Sequence, residues 1–237
     1  MRSRDAAGPA EALAVEHRLE TPRAAGIAGL VFSVLFVASL LLVRMRPESG
    51  SSAQQIANFY VHGPGGRAAL VGLYLVPFAG IAFLWFVAAI RSHLGAAEDR
   101  FFATVLLGSG ILFVSMLFAA SAAAATLVAG VKFLDEPAPS PNDVVLARSL
   151  GFAFLFVFGV RVAAVFMLVA STIGMRTGLL PRWLVVAGYL SGILYLVVVT
   201  YVELLALLLP AWVTAVSVVI LRAGQPGQRR TLTLDTR

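Results

Sequence analysis

The chain's apolar positions gather into long runs, most of them closed at both ends by single basic residues. A helix needs about 20 apolar residues to cross the roughly 30 Å hydrocarbon core of a bilayer. Four runs reach that length: 24–43 between Arg23 and Arg44, 68–90 between Arg67 and Arg91, about 101–131 between Arg100 and Lys132, and about 144–173 ahead of Arg176. The fourth carries two charges, Arg148 and Arg161, within it.

A last block, residues 183–221, is nearly twice the length of one crossing and contains a single charge, Glu203. It reads as two helices with a tight turn between them. Thr200 and Glu203 stand in the S/T-x-x-E spacing of a capping box, in which hydroxyl and carboxylate each satisfy a backbone N–H left over at a helix start. Pro181 suits a first helical position after Gly178. The pair is therefore expected at about 180–198 and 200–221, with Pro210 kinking the second helix and freeing a carbonyl near Ala206. The pattern thus predicts an all-α integral membrane bundle of six transmembrane helices over 24–221, with an N-terminal tail, 1–23, and a C-terminal tail, 222–237.

The first run is longer than the apolar core of a signal peptide and has no small-x-small cleavage pattern before Arg44, so it reads as a retained helix. Six crossings place both termini on one side. Twelve Lys and Arg residues fall on that side and five, including Arg148, on the other, so the positive-inside rule puts both ends in the cytoplasm. In the outer segment 47–66, Ser51 or Ser52 followed by Ala53, Ile56, Ala57 and Tyr60 has helical spacing. Two arrangements fit it before the Gly63-Pro64-Gly65-Gly66 break: a short interfacial helix, or a packed loop capping the bundle. Residues 135–141 read as a proline-stiffened spacer ending at Asn142 or Asp143 as a helix cap. Arg229 and Arg230 in the polar C-terminal tail are placed to meet anionic headgroups.

Composition agrees with this picture: 59% of residues are hydrophobic and 13% charged, and mean hydropathy is +0.90. With Cys at 0 there is no disulfide scaffold or thiolate metal site. Net charge is +6, but the basic residues lie at span ends with no run of five or six among them. That pattern fits orientation in a bilayer and not nucleic-acid binding. The bilayer is the expected partner.

Catalytic equipment is sparse. His17, His62 and His93 lie outside the spans, and none has a partner at i+3 or i+4 that would hold metal or haem. Ser109, Ser115 and Ser121 have no base at matching depth, and no P-loop, dinucleotide fingerprint or intramembrane aspartate pair occurs. The sequence therefore predicts no catalytic residue, no metal site and no cofactor.

Arg161 stands out, since an arginine near mid-membrane costs roughly 2.5 to 3.5 kcal/mol on insertion scales. Glu203 is the acid that could approach it, about 12 Å away in depth at 1.5 Å per helical residue, with Arg161 leaning toward it. Two readings follow. Arg161 is satisfied inside the bundle by Glu203, by a carbonyl freed at Pro210 or Pro77, or by Tyr195; or it lines a cavity with Tyr74, Tyr195 and Glu203 and binds a small anion or an anionic lipid. Small residues at Gly188 and Gly192, at Ala25 and Gly29, and at Ser115, Ala119 and Ala123 mark faces for close helix packing. These faces are expected to join helices within one bundle, and a homodimer through Gly188 and Gly192 is the alternative use.

Three segments together, Arg23–Leu30 opening the first span, Ile56-Ala57-Asn58-Phe59-Tyr60 in the outer loop, and above all Leu180-Pro181-Arg182-Trp183-Leu184, resemble a bacterial multi-pass membrane family of unknown function. The resemblance implies a multi-pass protein of the bacterial cytoplasmic membrane and supplies no activity, cofactor or site. The expected role is a non-enzymatic scaffold or accessory protein, with a small transporter or an anion- or lipid-binding protein using Arg161 as the alternative.

Overall fold

The structure, a computed structural model, describes the backbone of residues 9–44, 51–92, 100–198 and 203–223, and the side chains of 23–43, 51–91, 100–198 and 205–223. Among these residues every regular element is helical: α1 (Pro9–Arg44), α2 (Ala53–Ala57), a π-helical turn (Asn58–His62), α3 (Pro64–Ser92), α4 (Arg100–Phe133), α5 (Pro141–Phe152), a second π-helical turn (Ala153–Gly159), α6 (Val160–Thr177), α7 (Arg182–Val197), a 3-10 turn (Glu203–Leu207) and α8 (Leu208–Ala223). Five stretches are long and apolar enough to cross a membrane: Arg23–Val43, Pro64–Arg91, Arg100–Phe133, Pro141–Thr177 and Leu205–Ala223. They coincide with five of the runs seen in the sequence, while α7 is apolar but shorter. Large apolar side chains cover the outward faces, Trp85 being 69% and Leu190 64% exposed. So broad an apolar exterior suits lipid and not water.

Each rod packs antiparallel against its neighbour in the chain. Ser39 on α1 donates to the Gly72 carbonyl on α3 at 2.7 Å, Gly110 on α4 lies against Val87 on α3, and Trp212 Nε1 on α8 donates to the Leu184 carbonyl on α7 at 3.2 Å. The first and last rods also meet antiparallel: Gly26 packs on Leu221, and Ser33 Oγ lies 3.0 Å from the Pro210 carbonyl. At the centre Phe83, with no exposed surface, meets Phe32, Phe113 and Phe166 at ring-centroid distances of 4.7, 5.1 and 4.9 Å. Four rods thus share one aromatic cluster. In a bilayer, where lipid is as apolar as leucine, such dispersion contacts and close approaches hold helices together.

Several local expectations are corrected. Ser140, and not Asn142 or Asp143, caps α5: its hydroxyl accepts from the Asp143 N–H, the Asp143 carboxylate accepts from the Ser140 N–H at 2.8 Å, and Pro141 fills the first helical position. Pro181 is the N-cap of α7 and not its first residue, so that helix runs over 182–197; Gly178 ends α6 in the left-handed conformation that a residue without Cβ adopts freely. The break at 63–66 narrows to Gly63, with Pro64 starting α3. Gly65 then has the Phe59 ring where a Cβ would stand, which sets how closely the π-helical turn approaches α3.

Pro210 lies within the span Leu205–Ala223. It falls in the first turn of α8, where a missing N–H costs little, and the preceding turn is 3-10. Thr200 lies outside the described residues, so the capping box proposed there is not placed.

In segment 47–66 a short helix does form, capped by a Ser52–Gln55 box. It is also packed: Ile56 and Tyr60 are buried against Ala69, Leu127, Val128, Val144 and Ala147 in a second apolar cluster. Lys132 Nζ donates to the Val61 carbonyl at 3.2 Å, tying the π-helical turn that follows this helix to α4. The segment is a lid over one end of the bundle.

Candidate functional site

Arg161 sits on the first turn of α6, just after the π-helical turn Ala153–Gly159. A π turn holds one residue more than an α turn, so a return to α register leaves a carbonyl without its usual amide partner. Here the Val160 N–H donates to the Leu155 carbonyl, and the next carbonyl, that of Phe156, receives Arg161 Nη1 at 2.7 Å. The guanidinium is thus met by its own helix, through a charge-assisted bond to a carbonyl presented by the wide turn.

The other residues grouped with it do different work. Tyr195 is buried; its hydroxyl donates to the Leu205 carbonyl at 2.6 Å and accepts from the Leu209 N–H at 3.1 Å. Those two groups would bond each other in an uninterrupted α-helix. The phenol is inserted into that rung and bridges α7 to the start of α8. Tyr74 is 60% exposed on the outer surface of α3, and no hydrogen bond among the described residues joins it to Arg161. The Glu203 side chain lies outside the described residues. Of the four candidates, the described side chains of Arg161, Tyr195 and Tyr74 stand in three separate environments.

The small-residue faces resolve in the same direction. A methyl group at Gly188 would overlap the Ser171 hydroxyl of α6 and crowd the Trp212 indole of α8, and one at Gly192 would meet Leu168. This face is occupied by the chain's own helices. Gly29 likewise packs on Ser217 and Phe86. The Ser115 stripe of α4 is corrected: Ser115 is exposed and donates to the Ile111 carbonyl at 2.9 Å, while α4 packs through Leu106, Gly110, Phe113 and Leu117.

Sequence reasoning placed Arg148 within the fourth span and counted it among the outer charges, without assigning it a site. The structure places it in the wall of a cavity of about 110 Å³ between α1, α3, α4 and the α5–π segment. The walls are otherwise apolar, with Phe36 and Val43 from α1, Leu73 and Val76 from α3, Leu117 and Ala124 from α4, and Phe152, Leu155 and Phe156 from the π segment and its flank; the hydroxyls of Ser39 and Ser121 are the uncharged polar side chains there. Arg148 also borders a smaller cavity of about 30 Å³ that continues toward Tyr60 beneath the lid. The signal for this existed in the sequence: once Ser140 is taken as the cap, Arg148 lies seven residues inside a helix, about 10 Å below its start. A third hollow, about 590 Å³ and open, runs under the proline-rich segment past Glu136 and Asp143; Asp143 is engaged in the α5 cap. Among the described residues no cluster of His, Asp or Glu could hold a metal ion. The chain matches no family model, and neither curated proteins nor solved structures gave a match.

Proposed function

We propose that the chain is a six-crossing integral membrane protein of a bacterial cytoplasmic membrane, with both termini in the cytoplasm, and that it acts as a non-enzymatic scaffold or accessory protein. The observation that carries the architectural part is the antiparallel contact of α1 with α8, where Gly26 meets Leu221 and Ser33 meets Pro210. An odd number of traverses would put those ends at opposite faces of the bundle. The helix α7 spans about 24 Å at 1.5 Å per residue, exposes apolar side chains along its length such as Val186, Leu190 and Val197, and is pinned antiparallel to α8. These features support a sixth crossing, and the resemblance carried by 180–184 agrees with a multi-pass bacterial protein.

The scaffold reading rests on Arg161, whose guanidinium is met by the Phe156 carbonyl of its own helix. Two experiments test the proposal. The chain has Cys at 0, so single cysteines at Ser3, Asn142 and Gln228 report accessibility cleanly. The first and last should react with a membrane-impermeant maleimide only after permeabilisation, and Asn142→Cys in intact cells; ends that react from opposite sides would sink the six-crossing topology. A panel of soluble anions should leave the thermal transition of the purified protein unmoved. A stabilising anion whose effect disappears in Arg161→Ala would replace the scaffold with an anion-binding site.

A further inference from the structure

The cavity bordered by Arg148 has a direction. At one end lie Val43, Ala124, Ala147 and Arg148, next to the smaller cavity under Tyr60 and the lid; at the other lie Phe36, Leu117 and Phe156. From Ala147 to Phe156 the wall runs about 13 Å along the rod at 1.5 Å per residue. A cationic end near the lid and an apolar trough running inward match an amphiphile with an anionic head and a hydrocarbon tail. A guanidinium presents five N–H donors in a fixed fork whose geometry matches a phosphate. In a bilayer, lipid is the abundant molecule of that chemistry.

We propose that this cavity is a binding site for one anionic phospholipid of the surrounding membrane, its acyl chain in the trough beside the π-helical turn and its phosphate at Arg148. The inference takes from the preceding section only that the chain is embedded in a bilayer. The cysteine labels decide the crossing count separately, so either conclusion can fail alone. The π turn serves the site directly: it and the residue before it supply Phe152, Leu155 and Phe156 to the cavity, while the Phe156 carbonyl holds Arg161. Of Arg148 and Arg161, which flank the π turn, Arg148 lines the cavity.

The test uses the full chain in neutral detergent, followed by thermal unfolding during titration with phosphatidylglycerol, with phosphatidylcholine of identical acyl chains, or with inorganic phosphate. Phosphatidylglycerol should stabilise at about fivefold lower concentration than phosphatidylcholine, the factor one basic residue contributes toward an anionic headgroup. Arg148→Gln should bring the two lipids to the same concentration, and Arg161→Gln should keep the difference. Ala124→Phe, which fills the trough with Arg148 intact, should abolish stabilisation by either lipid. This variant also keeps the test decisive if Arg148→Gln does not fold. Equal action of the two lipids on the wild type overturns the proposal, as does a preference that survives Arg148→Gln. Stabilisation by inorganic phosphate alone, or lipid binding undiminished in Ala124→Phe, overturns it equally.

Discussion

The rod formed by α5, the π-helical turn and α6 carries Arg148 ahead of the turn and Arg161 just after it, and the structure treats the two in opposite ways. Arg161 follows the turn, in the half of the bundle where Val160, Ala163, Ala164 and Phe166 join the aromatic core, and bonds the backbone of its own helix. Arg148 precedes the turn, in the half where α1, α3, α4 and α5 leave a cavity. Both are arginines in an apolar run, so residue type and position predict the same behaviour for both. What separates them is backbone register: a wide turn presents a carbonyl to one, and packing leaves a hollow beside the other. A charge in a membrane segment therefore marks a site only after its nearest backbone acceptors have been accounted for.

The largest effect should come from emptying the packed half. Phe83 is fully buried among phenylalanines from three other rods, and Phe83→Ala should cost about 3 to 5 kcal/mol by lost contacts and residual cavity. Leu155→Ala, on the wall of the existing cavity, should cost nearer 2 kcal/mol, the low end for such truncations, because part of its surface already lacks neighbours. Detergent-denaturation midpoints of the two variants make the comparison. Equal losses would mean that the halves are packed alike and that the hollow closes in solution.

Next comes the phenol that bridges α7 and α8. Tyr195→Phe keeps the ring and removes the hydroxyl, leaving the Leu205 carbonyl and the Leu209 N–H to re-pair across a turn now held open by the ring. Leaving such buried groups unmet costs about 1 to 3 kcal/mol. The loss should appear in the unfolding midpoint, and amide exchange should rise first at Leu209. A variant as protected as the wild type would show that the 3-10 turn converts to α without the phenol.

The spans could be read from the sequence because charges sit at their ends: Arg23, Arg67, Arg91 and Arg100 lie within a few residues of observed helix or span limits. The Gly188 and Gly192 face was readable for the same reason that it packs, since only small residues permit close approach. The π turn was not. Residues 153–159 form an unbroken apolar run with no proline, and nothing in such a run reports that the hydrogen-bond ladder widens by one residue. Missing the turn hid the acceptor for Arg161, and the cavity beside Arg148 is built by α1, α3 and α4, whose packing no local spacing reports. The lid helix was visible in the spacing of Ile56 and Tyr60, but burial of both against α4 and α5 depends on contacts over long sequence separations.

The smallest effect should come from Arg161 itself, and it tests the comparison most closely. Arg161→Met removes a donor to the Phe156 carbonyl, a loss of about 1 to 3 kcal/mol for a buried acceptor. The same substitution removes a charge that costs roughly 2.5 to 3.5 kcal/mol to place in the membrane interior. Methionine fills a similar volume and adapts to an irregular gap. The two contributions offset, so the unfolding midpoint should stay within about 1 kcal/mol of the wild type, as when a buried ionic group gives way to a packed apolar one. Loss of about 3 kcal/mol or more would mean that Arg161 neutralises a second buried charge, left uncompensated in the variant. The two arginines would then no longer be opposites, because each would be answering a charged group.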